Sequence, residues 1–269
     1  MRSPIGIFDS GLGGLSVARE VIARLPRESI IYFADTAHVP YGERPLNEIK
    51  GFALDITRFL IDEGAKCVVM ACNMSSAVAL DEARNRWPDI PIIGVIEPGA
   101  RAAVIAAGGH PIGVLATTGT VKSAAYVRAI HSLAPSALVV QQACPRFVPL
   151  VESGRADSEE AEAAARDYVA PLVRAGCHTI VLGCTHYPFL RRAIQAAAGS
   201  ETHIVDPAEE TARALEKVLH DKEIASDTSE GRHLFFASGE TRGLIELGSR
   251  FLRMPIREVV NHQLSGVST

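Results

Sequence analysis

The amino-acid sequence predicts an α/β protein of two pseudosymmetric lobes, each a mainly parallel sheet flanked by helices, with an active site in the cleft between them. Three observations support this fold class. Short β-branched runs alternate with stretches of helical periodicity along most of the 269 residues. Pairs of segments resemble each other at nearly equal offset, and polar residues follow several of the apolar runs. The alternation predicts parallel sheets covered by helices, and the other two observations predict duplicated lobes with a shared site.

The apolar runs are predicted as strands because most are continuously apolar, which is typical of strands buried on both faces of a parallel sheet. Between them lie segments with apolar residues spaced by three and four. The clearest such helix begins at Leu46, continues to Leu60 and is ended by Gly64. The polar segment Asp221–Arg232 is predicted as a surface loop. The predicted strands are Ile5–Asp9, Ile30–Asp35, Cys67–Asn73, Ile92–Glu97, Ile112–Thr117, Leu138–Cys144, Thr179–Cys184, His203–Asp206, Leu234–Ser238 and Glu258–His262.

An internal repeat is the basis for predicting two lobes. Ile5–Gly11 resembles Ile112–Gly119, and Val68–Met74 resembles Ile180–His186. The repeats are offset by 107 residues (5 to 112) and by 112 residues (72 to 184). Because the two pairs occur in the same order, they indicate two similar α/β halves. The predicted lobes are residues 1–97 together with 207–269, and residues 98–206.

Composition excludes several classes of protein. The chain has 27 Lys and Arg against 31 Asp and Glu, a net charge of −4, which does not indicate a nucleic-acid surface. Hydrophobic residues at 47% and charged residues at 22% are typical of a globular protein rather than a disordered one. No apolar run approaches the ~20 residues that span a bilayer, and no signal peptide is predicted. Five cysteines without a CxxC pair favour a reducing compartment, so the prediction is a cytoplasmic protein.

Polar residues at predicted strand ends indicate where chemistry takes place, since ligands bind beyond the carboxyl ends of parallel strands. Two facing lobes would place Cys72 and Cys184, each at such an end, on opposite sides of one cleft. A carbon acid that loses a proton from one face and regains one on the other needs two acid–base groups. Thiols suit this role because their pKa, about 8.5 when free, is readily lowered. The cysteines predicted only to pack in the core are Cys67, Cys144 and Cys177.

Several short motifs, in this order along the chain, carry a resemblance to a known family. They are Phe8-Asp9-Ser10-Gly11-Leu12-Gly13-Gly14, Asp35-Thr36-Ala37-His38-Val39-Pro40-Tyr41-Gly42, Ala71-Cys72-Asn73, Val151-Glu152-Ser153-Gly154 and Leu182-Gly183-Cys184-Thr185-His186-Tyr187-Pro188. From Ile5 to about Asp206 the chain resembles the cofactor-independent glutamate racemases of the aspartate/glutamate racemase superfamily. The resemblance implies a homodimeric enzyme that interconverts L- and D-glutamate without pyridoxal phosphate or metal and supplies D-glutamate for peptidoglycan.

The resemblance also implies a role for each matched residue. The thiol matching Cys72 takes the α-proton from D-glutamate, and the one matching Cys184 takes it from L-glutamate. Asp9, Glu152 and His186 match auxiliary acid–base groups. The matched substrate-binding positions are Asp9, Ser10, Tyr41, Gly42, Asn73, Met74, Thr117, Thr120, Thr185 and His186.

Two features of these positions lead to further expectations. Helix starts after Asn73 and Thr185 are expected to direct backbone N–H groups toward substrate carboxylates. Met74 stands where the family usually has Thr, so one hydroxyl is missing, and Ser75 or Ser76 is a candidate substitute.

Other interpretations of single residues stay open at this point. Asp9 could act only as a helix cap, and Glu152 could be a solvated helix residue. His186 could be a zinc ligand completed by Cys184, Cys72 and Asp9, although the usual ligand spacing is missing. The glycines after Asp9 are also found in phosphate loops, but no GxxxxGK[ST] motif follows.

Rival functions stay open as well. An aspartate or hydantoin racemase would use the same two thiols, whereas the arylmalonate decarboxylases of the superfamily keep only one of them. A two-lobed protein that only binds a small ligand would not need thiols facing that ligand. Some relatives restrain DNA gyrase, and no residue pattern here supports or excludes such an interaction.

Overall fold

Two parallel β-sheets, each flanked by helices, make up the computed structural model, which describes residues 3–264. The first sheet has six strands in the order β10-β9-β2-β1-β3-β4, and the second has four in the order β6-β5-β7-β8. Every pairing within these sheets is parallel. The strands are β1 (Ile5–Asp9), β2 (Ile30–Ala34), β3 (Cys67–Met70), β4 (Ile92–Gly94), β5 (Ile112–Ala116), β6 (Val139–Ala143), β7 (Thr179–Gly183), β8 (His203–Val205), β9 (His233–Ala237) and β10 (Val260–Asn261).

The strand order confirms the predicted repeat. The order β2-β1-β3-β4 in the first sheet recurs as β6-β5-β7-β8 in the second. The repeated segments begin at the central strands β1 and β5 and at their neighbours β3 and β7. Strands β9 and β10 extend only the first sheet, beside β2. The two-lobed α/β fold class is therefore confirmed, while the division of the chain at residues 97 and 206 stays a prediction.

The helices connect successive strands as expected for parallel sheets. The predicted helix from Leu46 is confirmed, since α2 begins there and ends at Asp62, and Gly64 follows with a φ of +86°. Short 3₁₀ helices cover Tyr41–Glu43 and Tyr187–Leu190. The α-helices are α1 (Leu15–Arg24), α2 (Leu46–Asp62), α3 (Asn73–Arg86), α4 (Ile96–Ala107), α5 (Thr118–Ser123), α6 (Ala125–Leu133), α7 (Phe147–Glu152), α8 (Glu159–Arg174), α9 (Arg191–Ala198), α10 (Pro207–Asp221) and α11 (Arg242–Leu252).

Some predicted strands are too long at their carboxyl ends. The run predicted as Cys67–Asn73 is a strand only to Met70, and Asn73 is already the first residue of α3. The run predicted as Ile92–Glu97 leaves the sheet after Gly94. The first turn of α3 is buried, and so are Val95 and Ile96 at the start of α4, so apolar character alone does not separate the end of the strand from the start of the helix.

Apolar side chains from both sheets belong to one buried cluster, which includes Ile7 of β1, Val114 of β5 and Ile180 of β7. Helix α4 packs against both α6 and α10, and α10 packs against α1, so helices of the two halves are in direct contact. Within residues 3–264 no helix has the length and apolar character needed to cross a membrane.

Candidate active site

A cavity of about 380 Å³ lies where the carboxyl ends of strands from both sheets meet, a size typical of small-molecule sites. Its walls come from segments after β1, β2 and β3 of the first sheet and after β5, β6 and β7 of the second. The structure brings all of the candidate site residues to this one cavity. Those lining it are Asp9, Ser10, Tyr41, Gly42, Cys72, Asn73, Met74, Thr117, Thr120, Glu152, Cys184, Thr185 and His186.

The two candidate thiols occupy corresponding places in the two halves. Cys72 lies just beyond β3, at the N-cap of α3, and Cys184 follows β7. Both line the cavity, and their exposed fractions are only 6% and 7%. Neither forms a disulfide. The repeat thus contributes one thiol from each half to a single site.

Asp9 acts both as a backbone acceptor and as a cavity residue. Its Oδ2 accepts hydrogen bonds from the N–H of Gly11 at 3.2 Å and of Gly14 at 3.0 Å, at the entrance to α1. Its Oδ1 accepts a 3.4 Å hydrogen bond from the hydroxyl of Thr185, in the other half of the protein. Asp9 is therefore more than a local cap, because its second oxygen joins the two halves beside the thiols.

His186 lies between Cys184 and Glu152. Its Nδ1 is 3.7 Å from the sulfur of Cys184, and its Nε2 is 3.1 Å from Oε1 of Glu152. Burial opposes the charged imidazolium, but the hydrogen bonds with Cys184 and Glu152 outweigh it and raise the pKa of His186 to about 10. At neutral pH His186 is therefore protonated, and its positive charge lies beside the sulfur of Cys184. Glu152 is 34% exposed, yet its partner shows that it is more than a solvated helix residue.

The surroundings of Cys72 act in the opposite sense. Burial, followed by the negative charge of Asp9, raises the pKa of the Cys72 thiol to about 12, and the backbone N–H of Ser75 opposes this shift only in part. At neutral pH this side chain is a thiol and therefore a proton donor. The two walls are thus chemically unequal, with an acid on one side and a histidine-supported sulfur on the other.

Hydrogen bonds across the cleft hold Asn73 and Met74. The hydroxyl of Tyr126 donates to Oδ1 of Asn73 at 2.8 Å. The hydroxyl of Thr120 donates to the sulfur of Met74 at 3.3 Å and lies 2.9 Å from that of Thr117. In each half, the cavity wall therefore depends on a side chain from the other half.

Two expectations about these residues are not met. Neither Ser75 nor Ser76 lines the cavity. The buried Ser75 hydroxyl is without a hydrogen-bond partner of normal geometry among residues 3–264, and that of Ser76 donates to the carbonyl of Met70. After Thr185 the chain begins with the short 3₁₀ helix Tyr187–Leu190 and becomes α-helical only at Arg191, so an α-helix starts directly at the cavity only at Asn73.

Some cavity residues did not follow from the sequence reasoning. Most of them are apolar and in the sequence are indistinguishable from core residues, although Val39 and Pro40 lie within the Asp35–Gly42 motif. The additional lining residues are Val39, Pro40, Thr118, Pro145, Val148 and Pro149.

A zinc site was one interpretation of His186, Cys184, Cys72 and Asp9. Among the residues described, no three His, Cys, Asp or Glu side chains are grouped so that they could hold a metal ion. The side chains of His186 and Asp9 instead contact Glu152 and Thr185.

Comparisons with known proteins agree with this geometry. The model of the Asp/Glu/hydantoin racemase family matches residues 10–215. A glutamate racemase from Geobacter metallireducens is 48% identical over 249 residues, which are 92% of each chain. The crystal structure of glutamate racemase isoform RacE1 from Bacillus anthracis superposes with a TM-score of 0.93 at 37% identity, covering 97% of this chain and 98% of that one. The glutamate racemase from Francisella tularensis in complex with D-glutamate gives a TM-score of 0.92 at 31% identity, covering 98% of both chains. The chain therefore belongs to the Asp/Glu/hydantoin racemase family.

Proposed function

We propose that this protein is a glutamate racemase that interconverts L- and D-glutamate by a two-thiol mechanism without a cofactor. The observation that carries the proposal is the placement of Cys72 and Cys184 on opposite halves of one small cavity. The similarity of the chain to proteins named glutamate racemase, over nearly its whole length, supports glutamate as the substrate rather than another carbon acid. A related structure also contains D-glutamate.

In the proposed reaction one sulfur removes the α-proton and the other supplies a proton to the opposite face. With L-glutamate, the thiolate of Cys184 takes the proton, the C–H electron pair remains on the α-carbon, and the thiol of Cys72 then protonates it. The unequal walls suit this direction, since Cys72 carries a proton at neutral pH and the protonated His186 lies beside the sulfur of Cys184. In the reverse direction the two sulfurs exchange roles, with Asp9 beside Cys72 as the auxiliary group.

Charge develops near the α-carboxylate as the proton leaves, and fixed donors lower the energy of that state. We assign this binding to Ser10, Asn73, Thr117, Thr120 and Thr185, which line the cavity with short polar side chains. The first turn of α3, which begins at Asn73, adds backbone N–H groups at the positive end of a helix dipole.

The same proposal extends to the role in the cell. We infer that the enzyme supplies D-glutamate for peptidoglycan and acts in the cytoplasm. All five of its cysteines are free and buried, as expected in a reducing compartment. Homodimerisation stays a prediction.

The direct test is incubation of the purified protein, free of pyridoxal phosphate, with L-glutamate and L-aspartate in separate samples. Circular dichroism follows the decay of optical activity. We expect decay with glutamate only. Decay with aspartate alone would favour another two-thiol racemase, and saturable binding of glutamate without decay would favour a binding protein.

Gly13 offers a test of the site geometry. A Cβ atom at this position would lie 2.5 Å from both Nδ1 of His186 and Oγ1 of Thr185. Gly13→Ala should therefore displace these side chains and lower kcat/KM about tenfold to a hundredfold, since small displacements of reacting groups have effects of this size. The matched control is Gly51→Ala in α2, where an added Cβ has no neighbour within 4 Å. This control should keep full activity with an unchanged or higher Tm, and similar losses in both variants would contradict the assigned geometry.

Met74 tests where the substrate carboxylate lies. The family usually has a Thr hydroxyl at this position. Neither Ser75 nor Ser76 reaches the cavity, so neither replaces that hydroxyl. A hydrogen bond to a charged group contributes roughly 1.5–3 kcal/mol, so Met74→Thr should lower KM for glutamate about tenfold or more. The control Met254→Thr, outside the cavity, should leave KM unchanged. An unchanged or higher KM in Met74→Thr would show that no carboxylate binds beside this position.

A further inference from the structure

Asp35, which follows β2, is a fully buried carboxylate to which the proposed reaction assigns no role. Three side chains contact it. The hydroxyl of Tyr41 donates to Oδ2 at 2.5 Å, and the hydroxyl of Ser238 donates to Oδ1 at 2.6 Å. The Nδ1 atom of His38 lies 2.8 Å from Oδ1 and 3.0 Å from Oδ2. So many short polar contacts around one buried carboxylate specify its position closely.

One end of this network is anchored in the sheet. Ser238 directly follows β9, and its N–H donates to the carbonyl of Ala34 in β2 at 3.0 Å. Its hydroxyl oxygen also accepts a 3.0 Å hydrogen bond from the N–H of Ala37. Strand β9 has no counterpart in the second sheet. The network therefore belongs to one half of the protein, the half that carries Cys72.

The other end of the network is the cavity wall. Tyr41 is buried and packs in a small cluster with Cys72 and Met74. A phenol has a single O–H donor, and Asp35 accepts it. The hydroxyl of Tyr41 is therefore used inside the protein rather than for the substrate. The ring of Phe52, stacked on His38 with centroids 3.9 Å apart, supports the same segment from behind.

We propose that Asp35, anchored by Ser238, is a positioning residue that holds Tyr41 against Cys72 and thereby fixes the wall beside this one thiol. The inference rests on the proposed racemase function. Loss of the network should displace Tyr41 and misalign Cys72 with the α-carbon, while Cys184, supported by His186 and Glu152 from the other half, keeps its geometry.

The test must distinguish an effect on the proton-transfer step at Cys72 from an effect on the step at Cys184. The two enantiomers of glutamate have equal free energy, so kcat/KM falls equally in both directions in any variant and carries no such information. Deuterium isotope effects measured with α-deuterated D- and L-glutamate do distinguish the two thiols. Cys72 is assigned to the C–H bond that breaks in the D-enantiomer, and Cys184 to the one that breaks in the L-enantiomer. In Asp35→Asn we expect kcat/KM to fall about tenfold to a hundredfold. The isotope effect on kcat/KM should rise for the D-enantiomer and fall for the L-enantiomer, as the step at Cys72 becomes limiting.

Three further variants complete the experiment. Tyr41→Phe should produce the same asymmetry, and Asp35→Asn combined with Tyr41→Phe should lose less than the product of the single losses because both act through one contact. The matched control is Glu28→Gln at the opposite end of β2, a buried carboxylate 2.6 Å from the ammonium of Lys66. It should lower Tm and leave both isotope effects unchanged.

The outcomes are distinguishable. If Asp35→Asn resembles Glu28→Gln, with lowered stability and symmetric isotope effects, the positioning role is wrong while the racemase function stands. If the wild-type protein does not racemise glutamate, the proposed function fails before any variant is compared.

Discussion

Replacement of Cys72 or Cys184 by serine is expected to lower glutamate racemisation by about 10²- to 10⁴-fold, the range that a positioned acid–base group contributes. An alcohol is far less acidic than a thiol, so serine can neither hold a stable negative charge at neutral pH nor return a proton readily. Both side chains lie at the cavity wall, and the exchange removes almost no volume, so the fold should persist. The measurement is kcat/KM for glutamate, with Tm recorded for each variant.

The remaining cysteines are the controls for this experiment. Cys67, Cys144 and Cys177 are buried as well, but none of them lines the cavity. Their serine variants should keep most of the activity of the folded protein, even where Tm falls. A Cys184→Ser enzyme that racemises glutamate at nearly the wild-type rate would show that the two-thiol mechanism is wrong.

In D₂O nearly every product molecule formed early in the reaction is expected to carry deuterium at the α-carbon. The proton taken from the substrate stays on one sulfur, whereas the product receives its hydrogen from the other sulfur, which has exchanged with solvent. Unreacted substrate should remain largely protiated, in both directions. Proton NMR or mass spectrometry of both enantiomers during the first few per cent of turnover provides the measurement.

A single base that moved between the two faces would return original protium to the product. Appreciable protium in early product would therefore contradict the assignment of one base to each face. The same assay can be repeated with a chelator and with added pyridoxal phosphate. Neither should alter the rate, and activity lost to the chelator would return attention to a metal-dependent reaction.

Much of the architecture could be predicted because it is encoded locally and then repeated. Continuous apolar runs predict strands of parallel sheets, and the repeated segments at Ile5 and Ile112 led to two halves whose central strand order is the same. Boundaries were less predictable. The strand before Asn73 ends earlier than expected, because the first turn of α3 is as buried as the strand that precedes it.

The polar residues of the candidate site could be predicted from the sequence, but their hydrogen-bond partners could not. Polar residues at the carboxyl ends of strands predicted one shared cavity, and the motifs shared with the racemase family identified its polar wall. The apolar residues Val148 and Pro149 were missed, since in the sequence they do not differ from core residues. The substitute hydroxyl expected at Ser75 is also absent from the cavity, because the side chain of Ser75 lies buried inside the protein.

The sequence by itself thus determined the fold class, the repeat and the two thiols, since each is visible as a short-range pattern of apolar and polar residues. Only the tertiary structure decided which groups surround those thiols. Asn73 bonds to Tyr126, 53 residues away, and Asp35 bonds to Ser238, 203 residues away. Such contacts have no local periodicity, because they arise from how helices and strands distant in the chain pack together. That packing places an acid beside Asp9 on one wall and a sulfur supported by His186 on the other.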